Sequence, residues 1–124
     1  MTVQHKRLKR LLKQMIDIYS PSGKEEEIID FLKGYLKRRG LPVRLVPVDE
    51  RRCNLIVGNL EADPRLALVG HLDTVTAYDL DRYACEETRD AIQGLGAADM
   101  KGGCAAMIEA FTAWHDAGRL PPGA

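Results

Sequence analysis

Cysteine, aromatic residues and net charge are all scarce in this sequence, and each scarcity excludes a class of protein. Only three cysteines occur, Cys53, Cys85 and Cys104, an odd number at wide spacing. This pattern fits neither a disulfide framework nor a zinc ribbon, so we expect a reduced, cytoplasmic chain. The 18 basic and 18 acidic side chains cancel, whereas proteins that wrap nucleic acid are normally strongly basic.

Long apolar segments are missing as well. No run approaches the roughly 18 apolar residues that a membrane-spanning helix needs. The charged N-terminus MTVQHKRLKR leads into no apolar segment of the kind that a signal peptide contains. We therefore expect no membrane partner. The 124 residues, 45% hydrophobic and 29% charged, are typical of one globular domain.

Charge is unevenly distributed along the chain. Residues 1–40 contain ten Lys or Arg but only five Asp or Glu. Such a basic arm can bind phosphates or nucleic acid, so binding through the basic first helix is kept as a minor alternative function. A solvated helix face is the favoured interpretation, because residues 1–18 lack the aromatic side chains on which bases stack.

Apolar residues recur at helical spacing in three segments. The pattern predicts helices over residues 4–18, 22–39 and 101–117. Ser22 and Glu25 have the spacing of a capping box, which predicts that the second helix begins there. These helices supply the α part of the fold.

The segment between the second and third helices has the composition of strands. Strands are predicted at 43–48 and 54–58, and the continuously apolar run 66–69 predicts a strand buried on both faces. Weaker strands are predicted near 83–85 and 91–93. The sequence therefore predicts an α/β fold, a mixed β-sheet flanked by helices.

His71, Leu72 and Asp73 directly follow the predicted buried strand. Residues two apart at a strand end point to the same side, so Asp73 could accept the ring N–H of His71. This is the carboxylate–histidine–metal arrangement, in which the acid fixes the ring tautomer. The alternative interpretation is that His71 and Asp73 make hydrogen bonds only to nearby groups at the start of a loop and bind no metal.

A glycine-rich segment, GLGAADMKGG at residues 94–103, leads into the last predicted helix. It lacks the spacing of a phosphate-binding loop and places the anion Asp99 where a phosphate would bind. A glycine-rich turn with Asp99 as a helix cap remains open as a purely structural interpretation.

Together three segments resemble one metallopeptidase family: SPSGKE at 20–25, HLDTV at 71–75 and GLGAADMKGG at 94–103. The family is that of acetylornithine deacetylase, succinyl-diaminopimelate desuccinylase, aminoacylase and glutamate carboxypeptidase. The order of the segments and the 28 residues between His71 and Asp99 match it, over nearly the whole chain. Leu95 departs from it, because many members carry arginine there, but this is not a ligand position.

The resemblance implies a site and a reaction. His71 would bind one metal ion, Asp99 would bridge two, and Asp73 would be the catalytic-site residue that orients His71. The peptide bond after Asp99 would be cis. The metal would be zinc, with cobalt or manganese as substitutes, and the reaction would be two-metal hydrolysis of an amide. The implied substrate is a small N-acyl amino acid or a peptide, cleaved by a deacylase or an exopeptidase.

The resemblance also implies that the family's catalytic domain is incomplete here. That domain is a three-layer αβα, phosphorylase/hydrolase-like fold, and its proton-shuttling glutamate, the remaining metal ligands and the dimerisation domain have no counterpart in residues 1–124. We therefore expect a truncated N-terminal part of a metallopeptidase catalytic domain, with a homodimer open only to the full-length protein. The alternative is a catalytically inactive fragment that binds at most one metal ion weakly.

Overall fold

The structure is a computed structural model that describes residues 2–59, 61, 63–64 and 66–120. Its elements are helix α1 (His5–Asp17), helix α2 (Glu26–Lys37), strands β1 (Val43–Pro47), β2 (Cys53–Val57), β3 (Glu86–Glu87) and β4 (Ile92–Gln93), and helix α3 (Gly102–Asp116). A 3-10 turn spans Leu80–Arg82, and a π-helical turn at Ala97–Lys101 precedes α3. The predicted α/β class is confirmed.

The three helices form the core, and α1 and α2 bury the apolar stripes that their sequence spacing predicts. The buried face of α3 differs from the predicted one, because it includes Glu109 and Thr112 while Met107, Ile108 and Phe111 are only partly buried. Helix α1 contributes Leu11 and Met15, both fully buried, and α3 contributes Cys104 and Ala105. The core cluster is completed by residues of α2 and the turn after it, namely Ile28, Leu32, Tyr35, Leu36 and Leu41. Among the described residues, no helix has both the length and the apolar character to cross a membrane.

The strands form two antiparallel pairs. Strand β1 pairs with β2, with Val43 opposite Val57 and Pro47 opposite Cys53. The short strands β3 and β4 pair with Glu86 opposite Gln93. The weak strand predicted near residues 91–93 corresponds to β4, whereas residues 83–85 form no strand and the other strand of the pair, β3, begins only at Glu86.

The strand predicted at residues 66–69 is wrong. These residues form no strand, and the side chains of Leu66 and Val69 are 62% and 82% exposed. A strand needs hydrogen-bonded neighbours, and within the described part of the chain neither strand pair extends to this segment. The apolar run therefore lies on the surface and leads into His71 without regular secondary structure.

The capping box predicted for the second helix is also wrong. Helix α2 begins at Glu26, and Glu25 before it caps no helical N–H with its side chain. The Glu25 carboxylate instead accepts a hydrogen bond from the Gly23 N–H, at 2.7 Å. The Ser22 hydroxyl points away from the helix, toward the segment that contains Asp73.

Helix α1 is tied to α3 by a buried ion pair. The Glu109 carboxylate is fully buried and accepts hydrogen bonds from Arg7 Nε at 2.6 Å, Arg7 Nη2 at 2.9 Å and the Gln4 N–H at 2.7 Å. Arg7 also contacts Asp116 at 2.8 Å. These carboxylates, Glu109 above all, raise the pKa of Arg7, so its guanidinium stays charged throughout the ordinary pH range.

Candidate metal centre

The segment that carries His71 and Asp73 is held by the turn between α1 and α2. Thr74 N donates to the Ser20 carbonyl at 2.9 Å, and Ser22 N donates to the Thr74 carbonyl at 3.2 Å. The buried Ser20 hydroxyl adds a bond to the Leu72 carbonyl at 2.8 Å. These bonds make a short parallel bridge between residues 20–22 and 72–74, which fixes the backbone around Asp73.

The His71 ring lies between two aspartates. Its Nδ1 is 3.2 Å from Asp73 Oδ1 and 3.1 Å from the Asp73 carbonyl, and its Nε2 is 2.9 Å from Asp99 Oδ1. The pKa of His71 is raised, mainly by the Asp99 carboxylate and then by the Asp73 carbonyl. The structure therefore brings together all three predicted site residues, although Asp99 is 28 positions from His71.

Asp73 is held at both carboxylate oxygens. Its Oδ1 faces His71, and its Oδ2 accepts a hydrogen bond from the Ser22 hydroxyl. The serine bond is the main reason that the pKa of Asp73 lies below its usual value. Asp73 thus lies beside the ring nitrogen of His71 that faces away from Asp99, with its carbonyl oxygen at 3.1 Å and its carboxylate Oδ1 at 3.2 Å from Nδ1.

Asp99 lies in the π-helical turn before α3, in backbone that departs from helical geometry. Its φ and ψ are −127° and 94°, and the Asp99–Met100 peptide bond is cis, as the resemblance implied. The helix-cap interpretation of Asp99 is not supported, because no side-chain cap is found at α3. The Asp99 side chain is 87% exposed, so its oxygens are open to solvent beside His71.

A close approach of glycine backbone places this turn against the His71 segment. Gly96 has a φ of +74°, and a Cβ built on it would lie 2.5 Å from Cγ2 of the buried Thr74. The Gly96 carbonyl then accepts the Lys101 N–H at 2.9 Å, which closes the turn. Only glycine can adopt this left-handed φ and also approach Thr74 so closely without strain.

Lys101 anchors the same turn from inside the protein. It is 1% exposed, and its Nζ donates to the Met15 and Ile18 carbonyls, at 2.8 and 2.7 Å. Burial lowers the pKa of Lys101 to about 8. Cys104 Sγ, one turn along, donates to the His71 carbonyl at 3.2 Å. Sequence reasoning missed the roles of Lys101 and Ser22, although both lie inside the motif segments.

His71 and Asp99 fit a metal ion by their chemistry. An imidazole nitrogen and a carboxylate oxygen are common ligands of zinc, and here they converge to 2.9 Å on the exposed side of the turn. Among the described residues, no cluster of three or more His, Cys, Asp or Glu could hold a metal ion. These residues thus offer two ligands, fewer than the three protein ligands that catalytic zinc normally has.

The basic first helix is largely engaged in ion pairs. Lys13 lies 2.8 Å from Glu87, Lys9 also contacts Glu87, and Arg7 is bound to Glu109. Glu87 is therefore a partner of α1, not part of the metal site. These pairs favour the solvated, structural interpretation of the helix over a phosphate-binding one.

Comparison with known proteins confirms the family resemblance. A sequence model described as Peptidase family M20/M25/M40 matches residues 67–124, the segment that contains His71, Asp73 and Asp99. A probable succinyl-diaminopimelate desuccinylase of Staphylococcus aureus is 28% identical over 98% of this chain. A putative LysW-lysine/LysW-ornithine hydrolase of Pyrococcus abyssi is 34% identical over 82% of it. The relatives are hydrolases by name, so the chain resembles a family of enzymes.

A solved structure agrees with the sequence comparisons. The crystal structure of a tripeptidase from Staphylococcus aureus superposes with a TM-score of 0.72 and 27% identity, and covers 99% of this chain. The chain spans 35% of that protein, and 31% and 28% of the desuccinylase and the LysW-linked hydrolase. It therefore corresponds to about a third of each relative.

Proposed function

We propose that this chain, whose residues 67–124 match the M20/M25/M40 peptidases, is the N-terminal part of the catalytic domain of a metal-dependent hydrolase. The observation that carries the proposal is the convergence of His71 Nε2 and Asp99 Oδ1, with Asp73 behind the other ring nitrogen. The substrate class would be a small N-acyl amino acid or a short peptide, supported by relatives named desuccinylase and tripeptidase. The three free cysteines support a reduced, cytoplasmic location.

The chain's own residues would prepare the site in a defined way. With a metal bound, Asp73 would accept the Nδ1 proton, and His71 would present the lone pair of Nε2 on the side where Asp99 presents its oxygens. His71 and Asp99, with ligands outside residues 1–124, would hold one or two zinc ions. When bound, the metal supplies Lewis-acid chemistry and acidifies water. The proton-shuttling carboxylate would likewise come from outside residues 1–124.

Metal binding tests the assignment of His71 and Asp99. We expect the 124-residue chain to bind about one Zn²⁺ or Co²⁺ weakly, because two ligands leave most of the coordination shell to water. His71→Ala and Asp99→Asn should each remove this binding in calorimetry, whereas His5→Ala, at the distant start of α1, should leave it unchanged. Tight binding of two ions, or unchanged binding by His71→Ala, would contradict the assignment.

Hydrolysis tests whether this part of the domain suffices. With Zn²⁺, Co²⁺ or Mn²⁺ we expect the purified chain to cleave neither N-acyl amino acids nor tripeptides, since the described residues bring no third ligand or further carboxylate to His71. The Staphylococcus aureus tripeptidase serves as the positive control for the peptide assay. Chelator-sensitive cleavage by the chain alone would overturn this expectation. A catalytically inactive polypeptide with one weak metal site is thus the second candidate function for the isolated chain.

A further inference from the structure

A cavity between the first half of α1 and the end of α2 lies outside the candidate metal centre. Its volume is about 250 Å³, and four of its seven lining residues are basic: Gln4, Lys6, Arg7, Arg10, Leu11, Tyr35 and Arg39. Lys101, which anchors the Asp99 turn, binds the other end of α1 at Met15, about 12 Å along the helix from Arg7. The cavity is therefore a separate site, and its lining favours an anion.

Helix α1 has two cations left for this cavity. Of its five Lys and Arg side chains, Arg7, Lys9 and Lys13 form ion pairs. Within the part of the chain that the structure describes, Lys6 and Arg10 pair with no carboxylate, and both line the cavity. They are four positions apart, so they lie one turn apart on the same side of the helix, where like charges repel each other. An anion between them would remove this repulsion.

A third cation comes from the turn after α2 and is already held in place. The Arg39 guanidinium lies over the Tyr35 ring, with Cζ 3.7 Å from the ring centre, and its Nη1 donates to the Tyr35 carbonyl at 3.2 Å. A guanidinium has five N–H donors, so others remain for a ligand. Because the group is already positioned, binding through it loses less conformational freedom than binding through a mobile side chain.

The Tyr35 hydroxyl is a buried polar group that has room for a ligand. The residue is 7% exposed, and its hydroxyl makes no hydrogen bond to any described residue, whereas buried tyrosine hydroxyls usually have a partner. Among the described residues, the fully enclosed side-chain atom without a partner is His115 Nδ1, so the Tyr35 oxygen opens to the cavity that it lines. Burial raises the pKa of Tyr35, so the hydroxyl stays protonated and can donate to an anion.

The charge and size of the cavity indicate the class of ligand. The Arg7 guanidinium faces two carboxylates, those of Glu109 and Asp116, which leaves one surplus negative charge. The other three lining cations exceed it by two. The first turn of α1 has no acidic side chain and no side-chain cap, so the helix dipole adds to this positive potential. The volume is below the roughly 300–1,000 Å³ of pockets for drug-sized ligands, so a small dianion fits.

We propose that this cavity binds a small dianion of the phosphate class, either inorganic phosphate or a phosphomonoester. Lys6, Arg10 and Arg39 neutralise it, and the Tyr35 hydroxyl donates a hydrogen bond to it. The site goes beyond the proposed hydrolysis and does not depend on it, because no residue of the candidate metal centre takes part. Since both α1 and α2 contribute to the site, a bound dianion also stabilises the packing of these two helices.

Titration with inorganic phosphate at constant ionic strength, followed by calorimetry, tests the proposal on the 124-residue chain. We expect one phosphate per chain. A hydrogen bond to a charged group is strong enough to change affinity about 10-fold, and we expect that loss in Lys6→Gln and in Arg10→Gln. Lys9→Gln is the matched control, because it removes the same charge from the same helix, but Lys9 contacts Glu87 instead of lining the cavity. It should keep nearly native affinity.

Tyr35→Phe tests the hydroxyl alone, because phenylalanine keeps the ring beneath Arg39. We expect about 10-fold weaker phosphate binding, with little change in melting temperature in the absence of phosphate. Tyr83→Phe removes a hydroxyl outside the cavity and should bind as the native chain does. Native affinity in Tyr35→Phe, equal weakening by Lys6→Gln and Lys9→Gln, or no phosphate binding by the native chain would each overturn the proposal.

Glycerol 3-phosphate distinguishes the two sources of the dianion. If it binds more tightly than inorganic phosphate and is weakened by the same variants, the ligand is a phosphomonoester. If inorganic phosphate binds more tightly, the ligand is the free ion. Binding of glycerol 3-phosphate that is unaffected by Lys6→Gln and Tyr35→Phe would contradict the site.

Discussion

Replacing Arg7 with methionine should lower the free energy of unfolding by about 3–5 kcal/mol, because it leaves the buried Glu109 carboxylate without its cation. Glu109 would keep only the Gln4 N–H as a hydrogen-bond donor among its present partners. A domain of this size is normally stable by about 5–15 kcal/mol, so this single change removes a large share of the total. Urea unfolding followed by circular dichroism measures the loss.

The double variant Arg7→Met/Glu109→Met is the informative comparison. Replacing both charges with apolar side chains removes the unpaired carboxylate, so stability should recover most of the way. Lys9→Met is the surface control, because its partner Glu87 is partly exposed and such pairs contribute about 0–1 kcal/mol. If Arg7→Met were as stable as Lys9→Met, the Arg7–Glu109 pair would contribute nothing to the stability of the fold.

Replacing Gly96 with alanine should lower the free energy of unfolding by about 2–5 kcal/mol and disturb the candidate metal centre. The left-handed φ of +74° contributes about 1–2 kcal/mol of this. The remaining about 1–3 kcal/mol comes from overpacking, since the new Cβ would meet Thr74 Cγ2 at 2.5 Å. Thermal unfolding measures the total loss in the free energy of unfolding. Co²⁺ affinity reports whether the turn that carries Asp99 has moved.

Gly118→Ala separates the two contributions. Gly118 has a similar φ of +62°, but a Cβ there would meet no atom within 4 Å. Its variant should therefore show the backbone cost alone, about 1–2 kcal/mol, and unchanged Co²⁺ affinity. Equal losses in the two variants would mean that contact between Gly96 and Thr74 contributes nothing.

The helices could be predicted from the sequence because their signal is local. Helical spacing placed α1 at residues 4–18 and α3 at 101–117, within a residue or so of the observed bounds. The resemblance supplied the pairing of His71 with Asp99, which no local pattern could give across 28 residues. The structure brings both residues to one place, with Asp73 on the predicted side of the ring.

The sequence predictions were wrong where the structure of a segment depends on distant parts of the chain. The apolar run 66–69 looks like a buried strand, but burial depends on neighbours that the described residues do not provide. Ser22 and Glu25 have the spacing of a capping box, yet the hydroxyl bonds Asp73, a charged acceptor brought near only by the fold. Lys101 reads as a surface residue at a helix start, since nothing local shows that α1 ends beside it.

The Lys101 ammonium joins two segments that are 86 residues apart in the sequence. The last carbonyls of a helix ordinarily face water, and there the helix frays independently of its surroundings. In α1 and the residue after it, the Met15 and Ile18 carbonyls are instead bound by the side chain that follows Asp99 by two positions. We therefore expect the end of α1 and the Asp99 turn to open together, which amide hydrogen exchange would measure. Fluctuations that loosen the end of the first helix would then be transmitted to the neighbourhood of His71 and Asp99 through Lys101, as well as through the apolar contacts that Leu11 and Met15 share with α3.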